Sequence, residues 1–174
     1  MRLREQMELA ALMPMIAEVI AAGGVFRLYP RGTSMQPLLV AGEDSVELSA
    51  ADPYAVGDVL LYRRASGQFV LHRLIAVQKR GLVFCGDNQR ELEFGVPESA
   101  VLAKMSGYYK GEVHHSTKET DYLRYTAERV ARFPRVLRQS ETAYRLYRRV
   151  TPLRTLPSRA GHKLLRMLKI EKQK

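Results

Sequence analysis

The sequence predicts a mainly β protein of the α+β class, in which a small antiparallel β domain follows an N-terminal helix and precedes a basic helical tail. Three observations carry this prediction: helical apolar spacing before residue 25, short β-branched and aromatic runs over residues 25–110, and basic helical segments beyond residue 114. The chain has 174 residues, of which 46% are hydrophobic and 26% charged. These values are typical of one folded domain with appendages and argue against a wholly disordered or low-complexity protein.

The first segment, residues 1–24, is predicted to contain a helix over residues 5–22. Its apolar residues recur at spacings of three and four, which place them on one helix face: Leu9, Leu12, Met13, Ile16, Val19 and Ile20. The pair Gly23-Gly24 then ends the helix. Because Pro14 and Glu18 interrupt the apolar run, we expect this helix to pack on the domain and to be neither a membrane span nor a signal peptide.

Residues 25–112 are predicted to form the β domain. Six short runs are rich in residues that favour strands: Val25–Tyr29, Ser45–Leu48, Val59–Arg63, Phe69–Val77, Leu82–Cys85 and Val101–Tyr109. Clusters of Gly, Pro, Asp and Ser separate the runs, and the segments 64–68 and 79–81 have the composition of hairpin loops. Short strands joined by tight turns are typical of a compact antiparallel architecture.

Residues 113–174 are predicted to form a basic, helical tail. Helical patterns occupy three segments within it: 122–133, 142–150 and 162–170. Residues 1–117 carry 12 Lys and Arg against 13 Asp and Glu, a net charge of −1, whereas residues 118–174 carry 16 against 5, a net charge of +11. The basic excess therefore belongs to the tail, and the nearly neutral remainder does not predict a nucleic-acid-binding core.

Three interpretations of the tail remain open. It can be a solvated charged appendage, or an element that docks on an anionic membrane surface or on a protein partner such as a transporter. Docking is favoured by apolar residues that alternate with basic ones as in an amphipathic surface helix: Leu164, Leu165, Met167, Leu168 and Ile170. Nucleic-acid binding is the least favoured, because no RNA- or DNA-binding motif organises the arginines and tyrosines.

The composition also limits the chemistry. The single cysteine, Cys85, excludes an internal disulfide and a Cys-rich zinc site, and we expect it to be a buried apolar side chain. His114 and His115 are adjacent, so they point in different directions, and no partner pair lies at metal-ligand spacing. No Gly-rich phosphate loop is present. The sequence therefore predicts no metal, nucleotide or other cofactor.

Three residues of the β region have the types needed for covalent hydrolysis at a carbonyl group: Ser34, His72 and Asp87. A serine hydroxyl is a weak nucleophile until an imidazole removes its proton, and a carboxylate behind the imidazole fixes its tautomer. Gly32 allows a tight turn that brings a backbone N–H toward the developing oxyanion. An unperturbed imidazole has a pKa of about 6.5, so activity is expected to fall below that pH.

Four short motifs in a fixed order surround these residues. They are Gly32-Thr33-Ser34-Met35-Gln36-Pro37, Gly57-Asp58, Leu71-His72-Arg73 and Gly86-Asp87-Asn88. Over residues 25–110 this order resembles the signal-peptidase-like serine proteases, a family that includes the self-cleaving repressors. The histidine at position 72 resembles the archaeal and endoplasmic-reticulum branch, whereas the ordinary bacterial signal peptidases and the repressors have a lysine base.

The resemblance implies a fold, an activity and roles for several residues. The fold is a β-rich domain of signal-peptidase type that binds its peptide as an extended strand. The activity is hydrolysis of a leader or precursor peptide through an acyl-enzyme, with Ser34 as nucleophile and His72 as base. The acid is either Asp87, which we prefer, or Glu93. The turn over residues 32–34 would then face the oxyanion.

Two features depart from the family's pattern. The family usually carries a membrane span before its serine, and none is visible here before Ser34. We therefore expect a cytoplasmic protein that reaches the inner membrane face only peripherally. Position 32 is a glycine where bacterial members often have a hydroxyl residue, and Thr33 is the nearest replacement.

Structural roles are the alternatives for the same residues. Ser34 can cap a helix over residues 35–40, and the segment 86–88 can simply shape a turn. Asp58 is expected in a turn or at a strand start, and Arg73 in an ion pair or a backbone contact. With such roles the domain would be a peptide-binding module that does not cut, or a repressor-like regulator. A serine–histidine hydrogen bond would favour the enzyme.

Overall fold

The structure, a computed structural model, describes the backbone of residues 2–150 and the side chains of residues 9–149. The chain divides into two compact units, Met1–Arg132 and Phe133–Lys174. The predicted helix over residues 162–170, with the amphipathic pattern around Leu164, lies outside the described residues.

The first unit is built on an eight-stranded antiparallel sheet. Its strands are β1 (Phe26–Leu28), β2 (Ser45–Ser49), β3 (Val59–Arg63), β4 (Phe69–Gln78), β5 (Gly81–Cys85), β6 (Glu93–Val96), β7 (Val101–Lys110) and β8 (Val113–Ser116). The order across the sheet is β1-β2-β7-β3-β4-β5-β6, and β8 pairs with β7. A short 3-10 helix over Glu98–Ala100 precedes β7. The predicted fold class, a mainly β protein of the α+β class, is confirmed for the described residues.

Six of the strands agree with the predicted runs, whereas β6 and β8 are absent from the sequence prediction. Strand β6 ends the sheet, and only Val96 of its four residues is buried. Strand β8 contains two histidines and has no buried residue. Short strands with few buried side chains leave little alternation in the sequence, so periodicity does not reveal them.

Two apolar clusters pack on opposite faces of the central strands. Leu61 lies in the first cluster, together with Met35 from the loop after β1. Leu60 and Tyr62 lie in the second cluster, together with Phe84 of β5. Because successive residues of a strand point to opposite faces, this division tells us which face each residue of β3 and its neighbour β4 occupies.

The N-terminal helix α1 spans Arg2–Ala21, close to the predicted 5–22. Ile16 is buried, and Leu9 and Ile20 pack against the first apolar cluster. The helix therefore packs on the sheet by one face, as its apolar spacing predicts. Within the described part of the chain, no helix combines the length and the apolar character that crossing a membrane requires.

Helix α2 spans Thr120–Ala131 and belongs to the first unit, which extends to Arg132. Its Tyr122 is buried in the first apolar cluster. The predicted boundary after residue 112 therefore differs from the structure, because β8 and α2 complete the sheet domain. The shift toward basic composition predicts a tail at this point, whereas Tyr122 and Tyr125 pack on the first apolar cluster and Thr126 accepts a hydrogen bond from Arg73.

The described part of the second unit contains α3 (Arg135–Gln139) and α4 (Glu141–Val150). Helix α4 agrees with the predicted segment 142–150, whereas α3 is absent from the sequence prediction. Five residues are too few to show a helical period. Leu137 and Tyr144 are buried, one in each helix.

Candidate active site

Ser34 and His72 line one cleft of the first unit, with a volume of about 670 Å³. Ser34 lies in the loop that follows β1, and His72 is the fourth residue of β4. All three residues of β1 line the same cleft, and α1 adds Leu9 and Leu12. The two residues that the sequence predicts as nucleophile and base therefore line the same cleft.

The loop that carries Ser34 is a tight turn anchored in the core. Gly32 has a φ of +86°, a left-handed conformation that glycine adopts without steric cost. Met35 is buried in the first apolar cluster, and its carbonyl accepts a hydrogen bond of 3.0 Å from the Leu39 N–H. Residues 34–38 form turns and not the helix that a capping role for Ser34 would require.

The side chain of Ser34 is half-buried in the cleft wall. Its hydroxyl forms no hydrogen bond with any residue that the structure describes, and this includes His72. The serine–histidine contact that would favour an enzyme is therefore not formed in this structure. Hydrogen bonds between catalytic groups often tighten only when substrate is bound, so the shared cleft is the more informative observation.

The Gly86-Asp87-Asn88 segment holds the serine loop from the other side. The Asn88 backbone N–H donates to the Ser34 carbonyl at 2.8 Å, and Asn88 Nδ2 donates to the Thr33 carbonyl at 3.1 Å. A Cβ atom at Gly86 would lie 2.6 Å from the Ser34 carbonyl oxygen, which is too close for any other residue. This motif therefore positions the Ser34 turn through its glycine and its asparagine.

His72 is 3% exposed and lies opposite Leu60 in the β3–β4 register. It shares a sheet face with Tyr62, whose hydroxyl oxygen is 3.4 Å from His72 Nδ1. Burial lowers the pKa of His72 from 6.5 to about 4, and the positive charge of Arg64 acts in the same direction. The imidazole is therefore neutral at pH 7, which is the form that a general base needs.

Glu93 of β6, the alternative acid, contacts Tyr62 and not His72. The Tyr62 hydroxyl donates to Glu93 Oε2 at 2.8 Å. Arg64 donates to the same carboxylate, from Nε to Oε1 at 2.8 Å and from Nη2 to Oε2 at 2.5 Å. Burial alone would raise the pKa of Glu93, but the hydrogen bonds from Arg64 and Tyr62 lower it below its usual value. The alternative acid thus reaches His72 through a tyrosine.

Asp87, the preferred acid, is bound elsewhere. Its carboxylate accepts two hydrogen bonds from Arg73, Nε to Oδ1 at 2.7 Å and Nη2 to Oδ2 at 2.6 Å, and both side chains are buried. The Tyr125 hydroxyl adds a third hydrogen bond at 3.1 Å. No hydrogen bond between Asp87 and His72 is found among the described residues. The geometry therefore differs from the expectation that Asp87 orients the imidazole, and it gives Arg73 the ion pair that the sequence predicts.

The reason for this difference is the alternation of side chains along β4. Arg73 and His72 are neighbours in the strand, so their side chains point to opposite faces of the sheet. Arg73 also donates to the Gly57 carbonyl at 2.7 Å and to Thr126 Oγ1 of α2 at 2.8 Å. Asp87 is the acidic member of this buried polar cluster. Its carboxylate is therefore the ion-pair partner of Arg73.

Gly57, Asp58 and Cys85 have structural roles. Gly57 has a φ of +107°, and its N–H donates to the Leu74 carbonyl at 2.8 Å. Asp58 accepts a hydrogen bond of 2.9 Å from the Ala55 N–H, which makes it a turn residue as expected. Cys85 is buried as expected, and burial raises the pKa of its thiol to about 11, so it is a poor nucleophile.

Sequence reasoning missed Tyr62 and Arg64. The β3–β4 pairing places Leu60 opposite His72, so Tyr62, two residues along, stands on the same face diagonally across from the histidine. A hairpin prediction with that register would have identified Tyr62. The contact with Glu93 depends on β6, which the sequence does not reveal.

No group of three or more metal-ligating side chains occurs in the part of the chain that the structure describes. The adjacent histidines contact separate glutamates: His114 Nε2 is 3.1 Å from Glu47 and His115 Nδ1 is 3.3 Å from Glu119. This agrees with the expectation that the two rings point in different directions.

In comparisons with known proteins, the chain matches no protein-family model and no curated protein sequence. The likeness to signal-peptidase-like proteases thus depends on the four motifs alone. Conclusions about function must come from the geometry of the cleft and from chemistry.

Proposed function

We propose that the protein is a serine endopeptidase that cleaves a leader or precursor peptide, with Ser34 as nucleophile and His72 as general base. The observation that carries the proposal is the shared cleft, which is lined by a serine and by a buried, neutral imidazole. The order of the four motifs supports it, and so does the backbone that holds the serine turn against Gly86 and Asn88.

The mechanism follows from the chemistry of these two groups. His72 Nε2 accepts the proton of Ser34 Oγ as that oxygen attacks the carbonyl carbon of the peptide bond. The resulting imidazolium gives the proton to the leaving amine, the C–N bond breaks, and an acyl-enzyme ester remains. Water, deprotonated by the same imidazole, then hydrolyses the ester and restores the serine. The backbone of the turn over residues 32–34 supplies N–H groups for the oxyanion.

The substrate fits as an extended strand. Strand β1 ends the sheet and pairs only with β2 among the described strands, so its outer edge can accept a further strand. Because β1 also lines the cleft, a peptide added there would run past Ser34. Apolar side chains from α1 and from the sheet would receive its side chains, among them Leu12, Leu61 and Leu71.

The test combines a covalent probe with a cleavage assay. A fluorophosphonate should label purified protein once, at Ser34 by peptide mapping, and a diverse synthetic peptide library should yield defined cleavage products. Ser34→Ala should lose both the label and the products. Ser66→Ala, which removes an exposed hydroxyl from the β3–β4 turn, is the matched control and should lose neither.

Two outcomes would contradict the enzyme. Turnover that survives in Ser34→Ala would exclude Ser34 as the nucleophile. Wild-type protein that binds library peptides without label or cleavage would identify the peptide-binding module instead.

A further inference from the structure

Tyr62 stands between the carboxylate of Glu93 and the imidazole of His72. Its hydroxyl oxygen is 2.8 Å from Glu93 Oε2 and 3.4 Å from His72 Nδ1. The three side chains come from three strands, β6, β3 and β4, and Tyr62 belongs to the second apolar cluster. A phenol therefore occupies the place where a carboxylate would directly contact the base in a Ser-His-Asp arrangement.

The protons in this chain of groups can be assigned from their partners. Glu93 faces the Arg64 guanidinium at 2.5 Å, so it is ionised and can only accept hydrogen bonds. The Tyr62 hydroxyl has one proton, which it donates to Glu93 in a hydrogen bond. Its oxygen is also a hydrogen-bond partner of Arg64, and toward His72 it can then act only as an acceptor, so a hydrogen bond with the neutral imidazole requires the proton to be on Nδ1. The lone pair on Nε2 is left free.

The tyrosine is also held in place. Tyr62 is fully buried, and its ring stacks on Phe84 with the centroids 4.2 Å apart and the planes 16° from parallel. The His72 ring meets its edge, with the centroids 6.3 Å apart and the planes at 60°. Tyr62 does not line the cleft. Its neighbours His72 and Arg64 do line the cleft, so Tyr62 can act on the substrate's reaction only through these two side chains.

We propose that Tyr62 is the positioning residue of this site: its hydroxyl connects Glu93 to His72 and holds the imidazole in the tautomer protonated on Nδ1, with Nε2 free to take the proton of Ser34. The catalytic consequence rests on the proposed peptidase function. The tautomer itself does not depend on that function, and it can be observed in protein that cleaves no peptide.

The first measurement is therefore the tautomer. In protein labelled with ¹⁵N-histidine, the nitrogen resonances of His72 distinguish a protonated from an unprotonated ring nitrogen, and His72→Gln identifies which signals are its own. At neutral pH, wild-type protein should show a protonated Nδ1 and a free Nε2. In Tyr62→Phe, which keeps the stacked ring and removes the hydroxyl, the Nδ1-protonated form should lose its dominance.

The matched control is Tyr122→Phe. Tyr122 is another buried tyrosine whose hydroxyl has a long hydrogen bond of 3.4 Å to a side-chain nitrogen, that of Arg73. Its removal should leave the His72 resonances unchanged. A general effect of losing one buried hydroxyl is thereby separated from the specific effect at position 62.

The second measurement is kinetic. In Tyr62→Phe, kcat on a library-derived peptide should fall about 10- to 100-fold, part of the factor of about 10²–10⁴ that a positioned base supplies. KM should change less than kcat, because Tyr62 does not itself reach the cleft and Arg64 keeps its ion pair with Glu93. A wild-type His72 protonated on Nε2, or a Tyr62→Phe protein with unchanged resonances and kcat, would overturn the proposal. Failure of the proposed peptidase function would appear instead as peptide cleavage that persists in Ser34→Ala.

Discussion

Arg73 and Asp87 form a buried ion pair through two parallel hydrogen bonds, and this pair joins the strand of His72 to the loop that holds Ser34. Burial alone would lower the pKa of the guanidinium, but the hydrogen bonds to the carboxylate raise it, so Arg73 stays charged. The carboxylate follows Gly86 and precedes Asn88, the two residues in contact with the Ser34 loop. The position of the Ser34 loop relative to His72 is therefore set partly by this buried pair.

Asp87→Asn should destabilise the fold. The substitution leaves Arg73, which is 0% exposed, as a buried charge without its counter-ion. Breaking a buried pair in this way costs about 3–5 kcal/mol in the free energy of unfolding. Urea unfolding followed by circular dichroism measures the change.

Asp121→Asn is the matched control for that measurement. Asp121 pairs with Arg124 at 2.9 Å on the surface of α2, where both side chains are more than 70% exposed. Exposed pairs contribute about 0–1 kcal/mol, so this variant should unfold almost as wild type does. Equal stability of Asp87→Asn and Asp121→Asn would show that the buried pair does not support the fold.

The candidate site shows how far the sequence can be read. The shared cleft of Ser34 and His72 agrees with the sequence, because the motifs name both residues and place them on a loop and a strand of one small sheet. The role of Asp87 was not predictable, since it depends on which face of β4 each side chain occupies. The side chains of His72 and Arg73 point to opposite faces of the sheet. A motif that contains both residues does not predict which of them the Asp87 carboxylate contacts.

The fold shows the same limit. The six predicted strands lie in runs rich in β-branched and aromatic residues, and five of them contain several buried side chains, whereas β6 and β8 are short and mostly unburied. Without β6 there is no position for Glu93, and without Glu93 the proton of Tyr62 cannot be assigned. The link from Glu93 through Tyr62 to His72 joins three strands that are distant in the sequence, so local patterns do not carry it.

Gly86→Ala should displace the Ser34 loop. The new Cβ would lie 2.6 Å from the Ser34 carbonyl oxygen and 2.9 Å from Gln89 Oε1, so the two loops must separate. A shift of about 1 Å at a catalytic group can lower the rate about 10²-fold, and we expect a fall of that size in kcat/KM. Peptide cleavage and probe labelling at Ser34 both report it.

Gly42→Ala provides the comparison. Gly42 has a φ of +83°, and a Cβ atom added there would have nothing within 4 Å, so its substitution strains the backbone without pushing on the site. It should lower stability and leave kcat/KM near the wild-type value. Unchanged activity in Gly86→Ala would mean that the contact with Ser34 does not control the position of the serine.

The pH dependence should differ from that of an ordinary histidine base. Burial is the main cause that lowers the pKa of His72 to about 4, and the positive charge of Arg64 acts in the same direction. The acid limb of kcat/KM, which reports the free enzyme, should therefore have its midpoint near pH 4, with little change from about pH 5 to 8. The sequence alone predicts a midpoint near about 6.5, and a measured midpoint there would contradict the buried, neutral imidazole.

The same shift links stability to pH. Because the folded pKa lies below the unfolded value, the unfolded chain binds the proton more readily between about pH 6.5 and 4. The free energy of unfolding should therefore be highest above about pH 6.5 and fall by roughly 3 kcal/mol as the pH drops through this window. His72→Gln should lose this part of the pH dependence, whereas His115→Gln, which changes a half-buried histidine, should keep it.

The last prediction concerns the basic second unit and anionic lipid. Residues 133–174 carry 12 Lys and Arg against 2 Asp and Glu, and each basic residue near an anionic leaflet contributes about 1 kcal/mol. Full-length protein should co-sediment with vesicles that contain phosphatidylserine, release as salt rises, and ignore neutral vesicles. A chain that ends at Arg132 keeps α2, whose Tyr125 and Thr126 contact the Arg73–Asp87 pair, and should lose vesicle binding while it keeps peptide cleavage. Equal binding by both chains, or binding by neither, would rule out the membrane interpretation and leave a solvated appendage or a protein partner.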